Sequence, residues 1–261
     1  MLLPIGDDDS KLSGPALVTW GLILANVLVF LFLQSGDGGE AFTYGWSVVP
    51  REITEGIDLV GPQAAAFEGE RLTIPQKPGP SPIYLTILSA LFMHGGWMHL
   101  LGNLLYLWIF GDNVEHRFGS VMFLVFYLAS GLAATLAQVA LDPDSIIPNL
   151  GASGAISGVL GAYLVLFPTN KVRALFFFFI FTVPAVVAIG LWIVFQFING
   201  YGAIIVADEM TGGVAYGAHI GGFFAGVVLA FFLRIFIKEE PKHIFTEMPE
   251  TYRPQRYYYR R

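Results

Sequence analysis

Apolar residues come in six long runs: Ala16 to Leu33, Ile83 to Phe110, Val121 to Leu141, Ala152 to Phe167, Ala174 to Ile198 and Val214 to Ile237. A helix rising ~1.5 Å per residue needs about 20 apolar residues to cross ~30 Å of hydrocarbon, so six spans are predicted and both termini fall on one side. The second run is over-long and is interrupted at Gly95-Gly96, which predicts a re-entrant or interfacial segment leading into a span that begins near Trp97. The fourth run is short, so its serine end is expected to stop below the membrane surface, in a polar cavity. The predicted fold class is all-α: a polytopic membrane protein built as a six-helix transmembrane bundle. Residues 1–15 form an N-terminal segment, 16–237 the six-span domain and 238–261 a C-terminal tail. Residues 35–82 are a long loop insertion, and its Gly61 to Pro82 portion, rich in Pro and Gly, reads as irregular.

Composition supports the membrane assignment. With 55% hydrophobic residues, 13% charged residues and a mean hydropathy of +0.63, too little polar surface remains to clothe a soluble domain of 261 residues. Many of the 30 glycines lie inside the apolar runs, where they let helices approach closely. The absence of cysteine excludes a disulfide framework, a thiol nucleophile and a thiolate metal site. A net charge of −6 offers no basic face for nucleic acid. With a cytoplasmic N-terminus, only Arg51, Arg71 and Lys77 of the 14 Lys and Arg lie outside, a bias that predicts both ends in the cytoplasm. Asp7-Asp8-Asp9 stands where a signal peptide would carry basic residues, so the first span reads as a retained helix. No organelle-import segment is visible, and a bacterial cytoplasmic (inner) membrane is the expected location. The tail from Glu239 to Arg261 reads as a flexible cytoplasmic segment that enforces topology or touches anionic headgroups.

Polar groups inside membrane spans are costly, so their default reading is functional. His94, His99, Asn103, Ser153 and His219 are such groups. The second, fourth and sixth spans all run in the same direction, and His99, Ser153 and His219 lie near their beginnings, which points to one shared site at one membrane face. Ser153 opens an apolar helix in Gly151-Ala152-Ser153-Gly154-Ala155-Ile156-Ser157-Gly158. The segment reads either as helix packing through Gly154 and Gly158 or as a nucleophile whose own amide, unpaired at the helix start, helps to hold an oxyanion. His219 reads as a satisfied buried imidazole or a base, beside a close-packing face at Gly222 and Gly226. His99 and Asn103 are four residues apart on one helical face and both can donate hydrogen bonds, to a developing charge or to another helix. His94 is off that face and suits a loop-stabilising role, whereas His116 and His243 read as solvated bystanders. A transporter using His94, His99 and His219 as ligands or relays is an alternative, but internal repeats and intramembrane carboxylates are not evident.

The ordered set of Gly151-x-Ser153-Gly154, His94-Gly-Gly-Trp-Met-His99-Leu-Leu-Gly-Asn103, Ala218-His219-x-x-Gly222-x-x-x-Gly226 and Gly111-Asp-Asn-Val-Glu115 resembles the rhomboid family of intramembrane serine proteases, from Leu17 to Ile237. The resemblance implies Ser153 as nucleophile, His219 as general base, and an oxyanion hole from His99, Asn103 and the Ser153 amide. His94, Gly151, Gly154, Ser157, Gly222 and Gly226 are implied as supporting residues. It also implies peptide-bond hydrolysis in single-span membrane proteins at or near the outer face, with the lipid bilayer as setting and neither cofactor nor metal; the oligomeric state is left open. No Asp or Glu occurs in the outer half of any span, so a Ser-His dyad fits better than a triad. The chain departs from the family in two places: Ser157 stands where many members carry an aromatic residue that stacks on the imidazole, and Leu85 and Thr86 stand near where some carry a Trp-Arg pair. Trp192 to Phe197 of the fifth run is the expected lateral gate, and Phe176 to Phe179 is expected to face lipid. A proteolytically silent relative that only binds membrane clients is the other alternative.

Overall fold

The computed structural model describes residues 3–9, 12, 14–67, 70–206 and 214–237. The chain is mainly helical. Helix α1 (Leu17–Val29) continues into a π-helical turn at Phe30–Gln34; short helices α2 (Gly39–Trp46) and α3 (Pro50–Glu55) follow. Next come a hairpin of β2 (Gly61–Phe67) and β3 (Glu70–Gln76), preceded in the chain by strand β1 (Leu3–Gly6), and then α4 (Thr86–Ser89) between two 3-10 turns. Helices α5 (Trp97–Phe118), α6 (Ser120–Leu141) and α7 (Ser153–Leu166) are followed by β4 (Lys171–Phe176), β5 (Phe179–Pro184), α8 (Ala185–Val206) and α9 (Tyr216–Phe236).

Among the described residues, Leu17–Gln34, Ser120–Leu141 and Tyr216–Phe236 are long and apolar enough to cross a bilayer. Ile83–Phe92 and Trp97–Phe118 form a fourth, broken unit bent by 75°, at the Gly95-Gly96 interruption from which a re-entrant segment was expected. Helix α7 is shorter and central: every residue from Gly154 to Tyr163 is buried, as befits a helix that is apolar all round. Exposed apolar side chains such as Leu24, Phe32, Val121 and Phe231 cover the outside of the bundle, the surface an integral membrane protein offers to lipid.

The sequence reading needs three corrections. The fifth run is not one helix: Lys171–Phe176 and Phe179–Pro184 form an antiparallel hairpin, and α8 begins only at Ala185. Strand β4 also pairs with β1, giving a three-stranded sheet in the order β1-β4-β5. Phe176 to Phe179 is therefore the hairpin tip, with Phe177 at φ 53° and Phe178 93% exposed, rather than part of a helix. Most of the segment read as irregular between Gly61 and Pro82 is the β2–β3 hairpin, paired in register from Gly61↔Gln76 to Phe67↔Glu70. His116 is no solvated bystander: it is buried, with Nδ1 2.7 Å from the Asp112 carbonyl and Nε2 3.1 Å from the Gly14 carbonyl. His243 and the tail from Lys238 lie outside the described residues.

The end of the bundle away from Ser153 is tied by polar side chains. The buried Glu115 carboxylate accepts hydrogen bonds from the Val18 and Thr19 amides (3.0 and 2.7 Å), the Thr19 hydroxyl (2.8 Å) and the Ser120 hydroxyl (2.6 Å). The first amides of α1 have no intrahelical acceptor, and the Ala16 side chain cannot cap them. A carboxylate from α5 does so instead, with a charge that suits the positive end of the helix dipole. Gly111 permits the approach, since a Cβ there would lie 3.1 Å from Thr19. The Gly111 to Glu115 motif thus docks α1 onto α5. Asp7, just after β1, accepts from the Tyr163 hydroxyl of α7 at 2.5 Å and the Asn113 amide of α5 at 2.9 Å.

Candidate active site

The turn before α7 is fixed from two sides. Val48 and Asn149 exchange backbone hydrogen bonds of 2.9 and 2.7 Å, and the Gly151 amide donates to the Ala90 carbonyl at 2.9 Å. Gly151 has φ +136°, and a Cβ there would lie 2.8 Å from His99 Nε2 and 3.4 Å from Ser153 Oγ. The position therefore demands glycine twice, by backbone conformation and by space. His99 and Ser153 flank this one point. The first intrahelical bond of α7 runs from the Ile156 amide to the Ala152 carbonyl (3.0 Å), so the Ser153 amide precedes the helical ladder and has no partner within it. A cavity of about 40 Å³ lies behind the serine, lined by residues including Thr135, Gln138, Asn149, Ser153 and Ala218. One water needs roughly 10–15 Å³, so the space admits water next to Ser153.

Helices α7 and α9 touch backbone to backbone. A Cβ at Gly222 would lie 2.1 Å from the Gly154 carbonyl oxygen, and one at Gly226 would lie 2.0 Å from that of Gly158. Gly161 continues the seam, where a Cβ would fall 2.3 Å from the Phe223 carbonyl oxygen. This contact sets the start of α9, with Ala218 and His219, beside the start of α7. Ser157, at the position of the absent aromatic ring, is buried and donates from Oγ to the Ser153 carbonyl at 2.6 Å.

On α5, His99 Nδ1 accepts from the Gly95 amide at 3.3 Å. In a neutral imidazole the other nitrogen then carries the proton, and that Nε2–H is the one beside Gly151. Asn103, one turn further, is 8% exposed, and its Nδ2 has no hydrogen-bond partner among the described residues. Most buried polar groups in folded proteins are hydrogen-bonded, so this donor is free to meet another acceptor. His94 is 2% exposed, its ring 5.1 Å from that of His99. Its backbone is clamped by Gln34, whose Oε1 accepts from the His94 amide (2.8 Å) and whose Nε2 donates to its carbonyl (3.0 Å). The loop-stabilising contact expected for His94 is thus made by its main chain, while the ring sits behind His99.

His219 occupies the first turn of α9, between Tyr216 of its own helix and Trp192 of α8, at ring separations of 6.4 and 6.1 Å. Its Nδ1 lies 2.8 Å from Oε1 of Gln196, also on α8 and 5% exposed. Ser153 Oγ and His219 make no hydrogen bond with each other among the described residues. Gln196 is the residue that sequence reasoning missed. Its signal was a solitary amide within the apolar stretch Leu191-Trp-Ile-Val-Phe-Gln-Phe-Ile198. The carboxylates of Asp7, Asp9 and Asp112 approach within 4.8 Å of one another at the far end of α7, about 15 Å along the helix from Ser153 at ~1.5 Å per residue. Asp7 and Asp9 there already accept from Asn113.

Comparison with known proteins places the chain in a family. Residues 83–236 match the rhomboid domain family model. Rhomboid protein 1, mitochondrial, of Saccharomyces cerevisiae is 33% identical over 153 residues, covering 57% of this chain and 42% of that protein. Rhomboid protease GluP of Bacillus subtilis is 36% identical over 144 residues, 55% of this chain and 25% of the relative. RHOMBOID-like protein 4 of Arabidopsis thaliana is 33% identical over 227 residues, 82% of this chain and 51% of the relative. The alignments take in between a quarter and about half of the length of these relatives. The matched region contains α5, α7 and α9 with the four motifs in order, and the chain belongs to the rhomboid family of membrane proteins.

Proposed function

We propose that this chain is an intramembrane serine endopeptidase that cuts single-span membrane proteins, with Ser153 as nucleophile and His219 as general base. One observation carries the reading: three helix starts far apart in sequence converge, with Ser153 Oγ and His99 Nε2 flanking Gly151 and Ala218, the residue before His219, against Gly154. In the proposed reaction His219 Nε2 takes the Ser153 proton as Oγ attacks the scissile carbonyl carbon. The negative oxygen is met by the Ser153 amide, the His99 Nε2–H and the unpartnered Asn103 Nδ2. The imidazolium returns its proton to the departing amine, leaving an acyl-enzyme. Water from the adjacent cavity then attacks the ester as His219 takes its proton, and collapse of the adduct frees the acid as the imidazolium returns that proton to Ser153 Oγ. Residues 16–237 carry this machinery, with 35–82 as a loop insertion folded over its outer end.

The reading includes cleavage at the outer face of a bacterial-type inner membrane with both termini in the cytoplasm, an orientation that the Lys and Arg distribution supports. A proteolytically silent client binder is the second reading, and the unmade Ser153–His219 hydrogen bond is what favours it. In many hydrolases that bond tightens only once substrate is bound. The test is cleavage of a single-span reporter in liposomes by the wild type, Ser153→Ala and His219→Ala, with fluorophosphonate labelling in parallel. Cleavage and labelling by the wild type alone are expected. A folded wild type that neither cleaves nor labels establishes the silent reading, and cleavage that survives Ser153→Ala overturns the choice of nucleophile.

A further inference from the structure

One polar residue beside the site has no part in the reaction just described. Along α8, Leu191, Val194, Phe195, Phe197 and Ile198 are exposed, as on a helix bathed in lipid, while Gln196 turns inward to His219. An amide buried without a partner is costly, so its depth is itself a constraint on where it can sit. Here Oε1 faces His219 Nδ1 at 2.8 Å. A carbonyl oxygen only accepts, which assigns the proton of the neutral ring to Nδ1 and leaves Nε2 bare.

We infer that Gln196 is the positioning residue of His219: it fixes both the orientation of the imidazole and the tautomer that can deprotonate Ser153. The inference rests on the serine-protease reading above. It answers how the ring is held where Ser157 replaces an aromatic residue. The amide does the orienting work of the third member of a Ser-His-Asp triad without placing a charge in hydrocarbon. It also gives α8 a second task. Trp192 and Gln196 are four residues apart, on one face of that helix, and both meet the His219 ring. Outward movement of α8, the expected lateral gate, therefore withdraws the acceptor from the base as it opens the site. Catalytic alignment and gate closure become one event.

The test uses the full chain in liposomes, comparing wild type, Gln196→Met and Gln196→Glu, with Ser153→Ala alongside. Gln196→Met keeps the length of the side chain and removes the acceptor. The expected result is kcat lower by about 10- to 100-fold, the scale of a misplaced reacting group, with KM within about twofold. Gln196→Glu is expected to recover turnover and to move the acid limb of the pH profile to higher pH, because a carboxylate stabilises the imidazolium. Histidine labelled with 15N reads the tautomer without any cleavage: His219 Nδ1 is protonated in the wild type and shared between both nitrogens in Gln196→Met. Unchanged kcat and pH profile in both variants, or a 15N signature indifferent to Gln196→Met, overturns the inference while leaving the protease reading intact. Cleavage by Ser153→Ala overturns the protease reading, whatever the Gln196 variants do.

Discussion

At the scale of single residues, Asn103 separates a stabilising role from a functional one. A buried donor left without a partner costs about 1–3 kcal/mol, and Asn103 Nδ2 is such a donor. If it serves only when an oxyanion forms, Asn103→Leu should fold at least as stably as the wild type while kcat falls by about 10²–10³-fold, the usual loss for one oxyanion-hole donor. Thermal unfolding and reporter kinetics on one preparation measure both; a variant that loses stability but keeps kcat would show Asn103 to be helix packing. Ser153, His99, Asn103 and His219 were legible in the sequence because each is a polar residue in an apolar run, with spacing that fixes its helical face. Gln196 was equally visible as an oddity. Its meaning was not, because it depends on which turn of α9 lies opposite, and that is decided by the glycine seam between two other helices.

At the scale of elements, that seam is the most demanding contact in the fold. Gly226 has no room for a methyl group, since the atom in the way is the Gly158 backbone oxygen, which cannot rotate aside. Gly226→Ala must push α9 from α7, at about 1–3 kcal/mol for overpacking, and should lower both the unfolding midpoint and turnover by drawing His219 from Ser153. Gly190→Ala on α8 is the control: nothing lies within 4 Å of a Cβ there, and relief of glycine's helical penalty, roughly 0.5–1 kcal/mol, should leave that variant as stable or more so. Equal losses in the two variants would argue against the seam. The helices with glycine at four-residue spacing were readable, as was the break before α5. The fifth run was misread because an uninterrupted apolar stretch has no period: Ala174 to Phe181 is as compatible with strands as with a helix. Phe177, in the left-handed region without being glycine, gave no turn signal. The β2–β3 hairpin was hidden for the opposite reason, its Gly and Pro residues masking strand propensity.

At the scale of the whole molecule, the end remote from the site is where folding meets pH. Burial pushes the Asp7 carboxyl up to about 8; the Tyr163 hydroxyl opposes this rise and the neighbouring Asp9 charge adds to it. A folded-state value above the ordinary 3.8 means that the native protein holds this proton more tightly than the unfolded chain. The contribution is therefore full below about pH 4 and is lost as pH climbs through about 8. The unfolding midpoint should fall between about pH 4 and pH 8 and level off above, and Asp7→Asn, which keeps an acceptor for Tyr163 and Asn113 but cannot ionise, should flatten that slope. A slope unchanged by the substitution would place the sensitive group elsewhere. Asp7 was legible only as part of the acidic stretch Asp7-Asp8-Asp9. Its docking against α5 and α7 required the sheet β1-β4-β5, which no local pattern announces.

The contacts of His219 among the described residues carry a final consequence. Its Nδ1 rests on an amide instead of a carboxylate, so in the proposed mechanism the acylation step would create one positive ring and one negative oxygen side by side, with no net charge entering or leaving the site. Moving one elementary charge across a whole bilayer is worth about 2.3 kcal/mol per 100 mV, but a proton that hops between neighbouring groups at a single depth crosses almost none of that drop. The chemistry should accordingly run at the same speed in an energised cell and in a liposome with no voltage across it.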